Sequence, residues 1–229
     1  ELREVELIPN YSLHPEGSCF IKFGDTHVLC NATVDENPPR WLRNSGQGWI
    51  TAEYGMLPTS TNERMSRESV RGKQSGRTQE IQRLIGRSLR VAVDRVALGE
   101  RQIIIDCDVI QPDGGTRCAT YSVGRVALKL ATDTLMNNGQ IKFDPIVRHV
   151  AAVSCGIVSG EPKLDLNYQE DSSAGADANF VMDDKNELIE IQCSAEKAPF
   201  SKKEFEIMYS MSSKGINKKI EIQKLALDD

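Results

Sequence analysis

The chain has 229 residues, a formal net charge of −5 and 39% hydrophobic residues. This length accommodates one well-buried domain or two very small ones, and the composition is typical of a globular protein. The longest nearly apolar stretch, around residues 149–158, is too short to span a bilayer, and the first residues lack the pattern of a signal peptide. We therefore expect a cytoplasmic protein with no membrane segment.

The cysteines and histidines are scattered along the chain, and no C-x-x-C pair occurs among them. The cysteines lie at Cys19, Cys30, Cys107, Cys118, Cys155 and Cys193. This spacing favours reduced thiols, mostly in strands, over a disulfide framework or a zinc site. We expect no metal centre built from imidazole and thiolate ligands.

Charge is distributed unevenly along the chain. Residues 63–90 are rich in arginine, whereas residues 161–190 are mostly acidic. Two such segments in one fold could bind a polyanion and divalent cations, respectively. Two solvated faces are the simpler explanation of charge alone, so both interpretations stay open here.

The predicted elements of the first half are strands followed by a helix. Residues 17–23 and 26–34 are rich in β-forming residues and flank Gly24-Asp25, which predicts a hairpin. Residues 48–56 are a further strand candidate. Apolar residues at spacings of three and four predict an amphipathic helix over 77–94, and an isoleucine-rich run predicts a strand over 102–110.

The second half alternates helices and strands. A turn at 112–115 precedes a predicted helix ending near residue 136, and residues 150–159 and 187–194 are predicted strands. Ser201 and Glu204 form the S-x-x-E pattern of a capping box, which predicts the start of the C-terminal helix. This order indicates a mixed domain of strands and helices, and it leaves open whether a sheet is parallel.

Three groups of residues could carry chemistry. Gly115, Thr116 and Arg117 lie where a strand gives way to a helix, and such an N-terminus can bind an anion, although a simple turn also explains the glycines. Arg77 begins a helix, where a cation opposes the macrodipole unless it reaches for an anion. Asp171 and Asp177, on a predicted small-residue loop, could share one Mg²⁺, or they could belong to an acidic exposed turn.

Several segments resemble motifs of the ribonuclease PH family, and they occur in the same order along essentially the whole chain. The matching segments are G-W-I-T-A-E-Y-G-M-L-P (48–58), G-R-T with E-I-Q-R-L-I (76–85), D-C-D-V (106–109), D-G-G-T-R (113–117) and E-D through Asp177 (170–177). The resemblance implies an α+β fold like that of ribosomal protein S5 domain 2, with left-handed βαβ units and mixed sheets packed with helices. It also implies one domain over 1–229 and a homo-oligomer, a hexameric ring of three dimers.

The resemblance also implies roles for individual residues. Arg77, Gly115, Thr116 and Arg117 match the orthophosphate site, and Asp171 and Asp177 match the catalytic carboxylates that bind Mg²⁺ or Mn²⁺. Arg64, Arg67 and Lys73 fall in the RNA-contacting region. Asp177 is also a candidate to protonate the leaving 3′ oxygen.

The activity implied is phosphorolytic trimming of RNA 3′ ends, chiefly of tRNA precursors, with release of nucleoside 5′-diphosphates. The reaction would be reversible because phosphate replaces water. The alternatives are a non-catalytic ring subunit of an exosome-like assembly and a plain RNA-binding module. The P-loop pattern of many nucleotide-dependent ATPases is missing from the sequence.

The sequence departs from the family pattern at three places. Cys118 stands where a hydroxyl residue is usual, and it either lines the phosphate site as an activated thiol beside Arg117 or packs into the core. Arg125 follows Ser122-Val123-Gly124, where small residues are usual. The basic segment that usually precedes the position of Leu2 is absent from this sequence.

Overall fold

The computed structural model describes residues 1–228, and the first part of this chain builds a five-stranded sheet. The elements are β1 (Val5–Pro9), β2 (Gly17–Phe23), β3 (Thr26–Asp35), a short 3-10 helix (Arg40–Leu42), β4 (Trp49–Met56), α1 (Glu68–Arg71), α2 (Gly76–Val91), α3 (Arg95–Leu98), β5 (Gln102–Gln111) and α4 (Thr116–Asn137). The strand order is β1-β2-β3-β5-β4. Strands β4 and β5 are parallel, whereas the other neighbouring pairs are antiparallel.

The second part of the chain builds a four-stranded sheet covered by the C-terminal helix. Its elements are β6 (Val150–Val158), β7 (Glu161–Leu164), α5 (Tyr168–Ser173), β8 (Ala176–Asp183), β9 (Leu188–Ala195) and α6 (Lys202–Leu227). The order is β7-β6-β8-β9, and every neighbouring pair is antiparallel. The α+β class with sheets packed on helices is therefore confirmed.

Alternating side chains explain why one face of the first sheet is buried. In β5, Ile103, Ile105, Cys107 and Val109 are buried, and the residues between them point to the other face. Helix α4 packs against β2, β3 and β6. The largest apolar cluster includes residues of both sheets, so α4 lies in a core that the two sheets share.

The structure confirms the hairpin, the two long helices near the middle of the chain and the capping box at Ser201. Helix α2 ends at Val91 instead of residue 94, because the Asp94 side chain accepts hydrogen bonds from Val96 N and Ala97 N and caps α3. All six cysteines are free thiols. The left-handed connection of β4, α2 and β5 stays a prediction.

The loop predicted over residues 170–177 is wrong. Asp171 lies on α5 and Asp177 lies on β8. The helix forms because Asn167 and Glu170 make a reciprocal capping box, in which the Asn167 side chain accepts from Glu170 N at 2.9 Å. The two carboxylates are thus held by regular elements, which fixes their backbone more firmly than a loop would.

Two charged side chains are fully enclosed in the helical layer. Arg125 of α4 donates from Nε to the Arg148 carbonyl at 3.1 Å, so this departure from small residues is accommodated by a backbone acceptor. Lys219 of α6 donates from Nζ to the Ala152 carbonyl at 2.9 Å and lies 3.6 Å from the centroid of the Phe23 ring. Within residues 1–228, no helix is long and apolar enough to cross a membrane.

Burial of Lys219 makes stability depend on pH. Burial lowers the Lys219 pKa from 10.5 to about 8, against the opposing charges of Cys118 and Asp165, while Arg3 lowers it further. Between these two values the unfolded chain binds more protons, so stability rises with pH. From about pH 7 to about pH 9.5, we expect the free energy of unfolding to rise by about 2 kcal/mol relative to Lys219→Met.

Chemical denaturation of both proteins at several pH values measures this difference. The Met variant has a side chain of similar length without the ammonium group, so it reports the titration of Lys219 alone. Parallel pH profiles of the two proteins would show that Lys219 does not titrate with a lowered pKa.

Candidate active site

The turn between β5 and α4 lies directly against the segment that leads into α5. Gly114 and Gly115 have φ angles of 70° and 63°, which glycine adopts without strain. A side chain at Gly114 would also come within 2.6 Å of the Leu166 carbonyl oxygen. Glycine at position 114 therefore permits this close approach, which brings the start of α4 next to α5, the helix that carries Asp171.

The first turn of α4 presents a hydroxyl and a guanidinium as predicted. The Tyr54 hydroxyl donates to Thr116 Oγ1 at 3.1 Å. Burial raises the pKa of Tyr54, although Thr116, Arg77 and Arg117 oppose the rise, so the phenol stays neutral at physiological pH. Because Thr116 accepts this bond, its own hydroxyl hydrogen is available to an anion at the helix N-terminus.

Arg77 is the second residue of α2, and its helix is capped by Ser75, whose Oγ accepts from Thr78 N at 3.1 Å. The Arg77 side chain is exposed. Its charge acts on both Tyr54 and Asp171, which places it beside the α4 N-terminus and the acidic helix. Among the described residues, Arg77 forms no ion pair, so its guanidinium can bind a ligand.

Asp171 and Asp177 lie close to each other and to the arginines. Partial burial raises the pKa of Asp171, while the charges of Arg77 and Arg117 oppose that rise. Partial burial also raises the pKa of Asp177, and the charge of Asp171 raises it further, against Arg117. The structure therefore brings guanidinium groups and carboxylates together from segments that are far apart in the sequence.

Sequence reasoning missed two members of this cluster. The negative charge of Glu196 raises the pKa of both Asp171 and Asp177. Its position is set by the chain leaving β9, where Glu196 N donates to the Gly175 carbonyl at 2.9 Å. Tyr54 lies within a segment that carries the resemblance, but its contact with Thr116 is seen only in the folded chain, where its hydroxyl donates to Thr116 Oγ1.

The carboxylates do not form a ready-made metal cage. In the described part of the chain, no group of three or more His, Cys, Asp or Glu residues is arranged to hold a metal ion. Mg²⁺ commonly binds through one or two carboxylates together with waters and substrate phosphates. The donor set of Asp171 and Asp177 fits such a substrate-assisted site.

Cys118 does not behave as an activated thiol. It is completely buried, and its Sγ lies 3.2 Å from Asn179 Oδ1. Burial raises its pKa to about 11, because the loss of water outweighs the charges of Lys219 and Arg117. Of the two interpretations of Cys118, the structure therefore favours a packing residue of α4 over an activated thiol at the phosphate site.

The basic residues predicted to contact RNA lie on the chain that precedes α2. Arg64, Arg67 and Lys73 are exposed on the chain between β4 and α2, which includes the short helix α1. Burial raises the pKa of Asp108, and the charge of Arg67 opposes this rise, so Arg67 lies near the outer face of β5. These basic groups are accessible to a large polyanion.

Comparisons with known proteins show which family the chain resembles. Two models of the 3′ exoribonuclease family match the chain, domain 1 over residues 1–132 and domain 2 over residues 149–215. Ribonuclease PH of Cereibacter sphaeroides is 57% identical over 227 residues, which are 99% of this chain and 96% of that protein. Ribonuclease PH of Roseobacter denitrificans is 56% identical over 226 residues, with 99% and 95% coverage.

Two solved structures share the fold at lower identity. Rrp46 of rice (Oryza sativa) superimposes with a TM-score of 0.78 at 18% identity, covering 99% of this chain and 96% of that one. A chain of the Archaeoglobus fulgidus exosome with RNA bound to the active site gives 0.81 at 20% identity, covering 95% and 87%. Family models over most of the chain and relatives above half identity lead to one conclusion: this chain belongs to the 3′ exoribonuclease family, and its relatives in that family are ribonucleases PH.

Proposed function

We propose that this chain is a phosphorolytic 3′-5′ exoribonuclease that shortens RNA, chiefly tRNA precursors, with orthophosphate as the attacking group. The observation that carries the proposal is the pairing of an anion site with carboxylates. Arg77 and Arg117 act electrostatically on Asp171, and Arg77 forms no ion pair within the described chain. An anion between the arginines and a cation beside the carboxylates would satisfy both sets of charges.

Orthophosphate would bind at the start of α4. The Gly115 and Thr116 N–H groups, the Thr116 hydroxyl and the guanidiniums of Arg77 and Arg117 are the donors that we assign to it. Tyr54 supports this role because its hydroxyl donates to Thr116 Oγ1 at 3.1 Å, so the hydroxyl hydrogen of Thr116 can be donated to phosphate. The phosphate oxygen would then face the terminal phosphodiester.

The bond changes follow from this placement. An orthophosphate oxygen forms a bond to the last phosphorus atom, and the bond from that phosphorus to the 3′ oxygen of the preceding nucleotide breaks. The product is a nucleoside 5′-diphosphate whose β-phosphorus came from orthophosphate. The leaving 3′ oxygen takes a proton. We assign this proton to Asp177 in its protonated form, a role that applies when Asp171 alone holds the cation. The arginines stabilise charge on the phosphoryl oxygens.

Asp171 and Asp177 are the residues we assign to Mg²⁺ or Mn²⁺. Either ion would supply electrostatic stabilisation of the phosphoryl oxygens when bound. The pKa of Asp177 is raised partly by the charge of Asp171, a repulsion that a bound cation would relieve. Glu196 adds negative charge at the same place.

RNA would be held by the basic segment before α2, for which we propose Arg64, Arg67 and Lys73. Replacing both Arg64 and Arg67 with alanine should reduce the slope of log K for tRNA binding against log salt concentration by about 1 to 2. With fewer phosphate contacts, binding releases fewer counterions. The phosphate KM should not change. Binding titrations over a range of salt concentrations measure the slope.

The matched control for this double variant replaces Lys202 and Lys203, two exposed lysines at the start of α6. It removes the same charge from a surface that we do not assign to RNA. Equal salt slopes for the two double variants would show that Arg64 and Arg67 do not contact RNA and belong to the solvent-exposed surface.

We propose one functional domain, a homo-oligomeric ring with the hexamer of three dimers as its form, and action in the cytoplasm. The core shared by the two sheets supports a single domain. A non-catalytic ring subunit is the second candidate, favoured only by the fold shared with a chain of the Archaeoglobus fulgidus exosome. The retained arginines and carboxylates disfavour it.

The test of the proposed function is incubation of a 3′-extended tRNA with Mg²⁺, with and without orthophosphate. We expect shortening only with phosphate, and nucleoside diphosphates as products. Shortening without phosphate and release of monophosphates would overturn the phosphorolytic mechanism. If the assembled protein shortens the RNA under neither condition, the non-catalytic ring subunit is favoured.

A further inference from the structure

Arg3, close to the beginning of the chain, connects both halves of the candidate active site. Its guanidinium donates to the Asp113 carbonyl at 2.6 Å and to the Gly114 carbonyl at 3.5 Å, on the turn before α4. It also donates to the Leu166 carbonyl at 3.4 Å, on the segment that leads into α5. One side chain thus ties the turn that carries Thr116 and Arg117 to the segment that carries Asp171.

Asp165 holds this guanidinium in place. The Arg3 Nη2 and Asp165 Oδ1 atoms are 2.8 Å apart, Arg3 Nε donates to Oδ2 at 3.1 Å, and Arg3 N donates to Oδ2 at 2.7 Å. The Asp165 side chain is completely buried. A buried carboxylate with three charge-assisted or backbone donors fixes the orientation of the planar guanidinium.

Asp165 itself is fixed by the neighbouring strand. Its φ angle is 60°, an uncommon conformation for a residue other than glycine, and Asp165 N donates to the Ser154 carbonyl at 2.7 Å. Leu166 N donates to Ser154 Oγ at 3.2 Å. Asp165 is therefore held against β6, and its contacts with Arg3 fix the position of the guanidinium relative to that strand.

A ring contact completes the site around Arg3. The guanidinium lies 4.5 Å from the centroid of the Phe23 ring, within reach of a cation–π interaction. A side-chain carbon built on Gly115 would approach Arg3 Nη2 to 3.1 Å. The guanidinium thus lies directly behind the backbone that would bind orthophosphate.

We propose that Arg3 and Asp165 are positioning residues for phosphorolysis: the Arg3 fork holds the orthophosphate-binding turn against the segment that carries Asp171. Neither residue touches substrate in this role. The inference rests on the proposed function, because it assigns the turn at 113–117 to orthophosphate. The N-terminal segment thereby becomes a structural part of the active site.

The geometry predicts which kinetic constant responds. Displacing the turn moves the Gly115 and Thr116 donors, so Arg3→Lys should raise the KM for orthophosphate by about 10-fold, because small misplacements of binding groups have large effects. Lysine keeps the charge beside Asp165 but lacks the fork that reaches several carbonyls. The KM for RNA should stay within about twofold, because the basic segment at Arg64 and Arg67 is not attached to Arg3.

A second variant approaches the same contact from its partner. Asp165→Asn keeps the shape and tolerates the positive φ angle, and it removes the charge that orients the guanidinium. It should raise the phosphate KM in the same direction. Lys22→Ala, which removes an exposed ion pair with Glu6 on the same sheet, is the matched control and should leave this KM unchanged.

A binding measurement separates this proposal from the proposed function. Orthophosphate should raise the Tm of the wild-type protein, and it should raise that of the folded Arg3→Lys and Asp165→Asn proteins less at each phosphate concentration. Equal shifts and an unchanged phosphate KM in either folded variant would overturn the positioning role. A wild-type protein that binds phosphate without consuming RNA would instead overturn the proposed function.

Discussion

Asp177→Asn is expected to lower the rate of phosphorolysis by about 1,000-fold or more, the scale of losing a group that transfers a proton in the transition state. The substitution keeps the shape of the side chain in β8. It also removes a charge that Asp171 and Glu196 repel, so the folded protein should be at least as stable as the wild type. Single-turnover assays at saturating Mg²⁺ and phosphate measure the loss.

Asp184→Asn is the matched control for this variant. Asp184 is an exposed acidic residue in the turn after β8, and it is not among the charges that act on Asp171 or Asp177. Its replacement should leave the rate within about twofold, as for most surface substitutions. Near-normal rates for Asp177→Asn would contradict the assignment of Asp177 as a catalytic residue that acts together with Asp171.

Arg77→Ala is expected to reduce kcat/KM for orthophosphate by about 100- to 1,000-fold, the effect of deleting one preorganised donor to a charged transition state. Arg77→Lys should recover only part of this loss, since an ammonium group cannot replace the planar fork. The affinity for tRNA should change little. Steady-state assays with varied phosphate, together with tRNA titrations, separate the two effects.

Arg83→Ala tests whether the effect is specific to the first turn of α2. Arg83 is an exposed arginine further along the same helix, so this variant loses the same charge at a different place. Equal losses in the two variants would indicate a general electrostatic effect and would contradict a phosphate contact at Arg77.

Local patterns allowed much of the fold to be predicted. The hairpin at Gly24 and the capping box at Ser201 depend on neighbouring residues, so the sequence alone indicates them. Helix α5 was missed because its six residues, Tyr168–Ser173, are too few to show an apolar period. Its cap, Asn167, was overlooked among the small and acidic residues that suggested a loop.

The site depended more on contacts between distant segments. Thr116 and Arg117 were predicted from a strand-to-helix turn, but the proximity of Glu196 follows from the position of the chain after β9. The Arg3–Asp165 pair joins residues 162 positions apart, which no local pattern indicates. Cys118 was ambiguous because a residue in the first turn of a helix can face either the anion or the core, and packing against Asn179 selects the core.

The most direct test of phosphorolysis follows the phosphorus atom itself. A 3′-extended tRNA is incubated with Mg²⁺ and radiolabelled orthophosphate, and the released nucleotides are separated. We expect nucleoside 5′-diphosphates labelled only in the β-phosphate with the wild-type protein, and release slower by about 1,000-fold or more with Asp177→Asn. Release of unlabelled nucleoside monophosphates would contradict the claim that orthophosphate, held by Arg77 and the start of α4, is the attacking group.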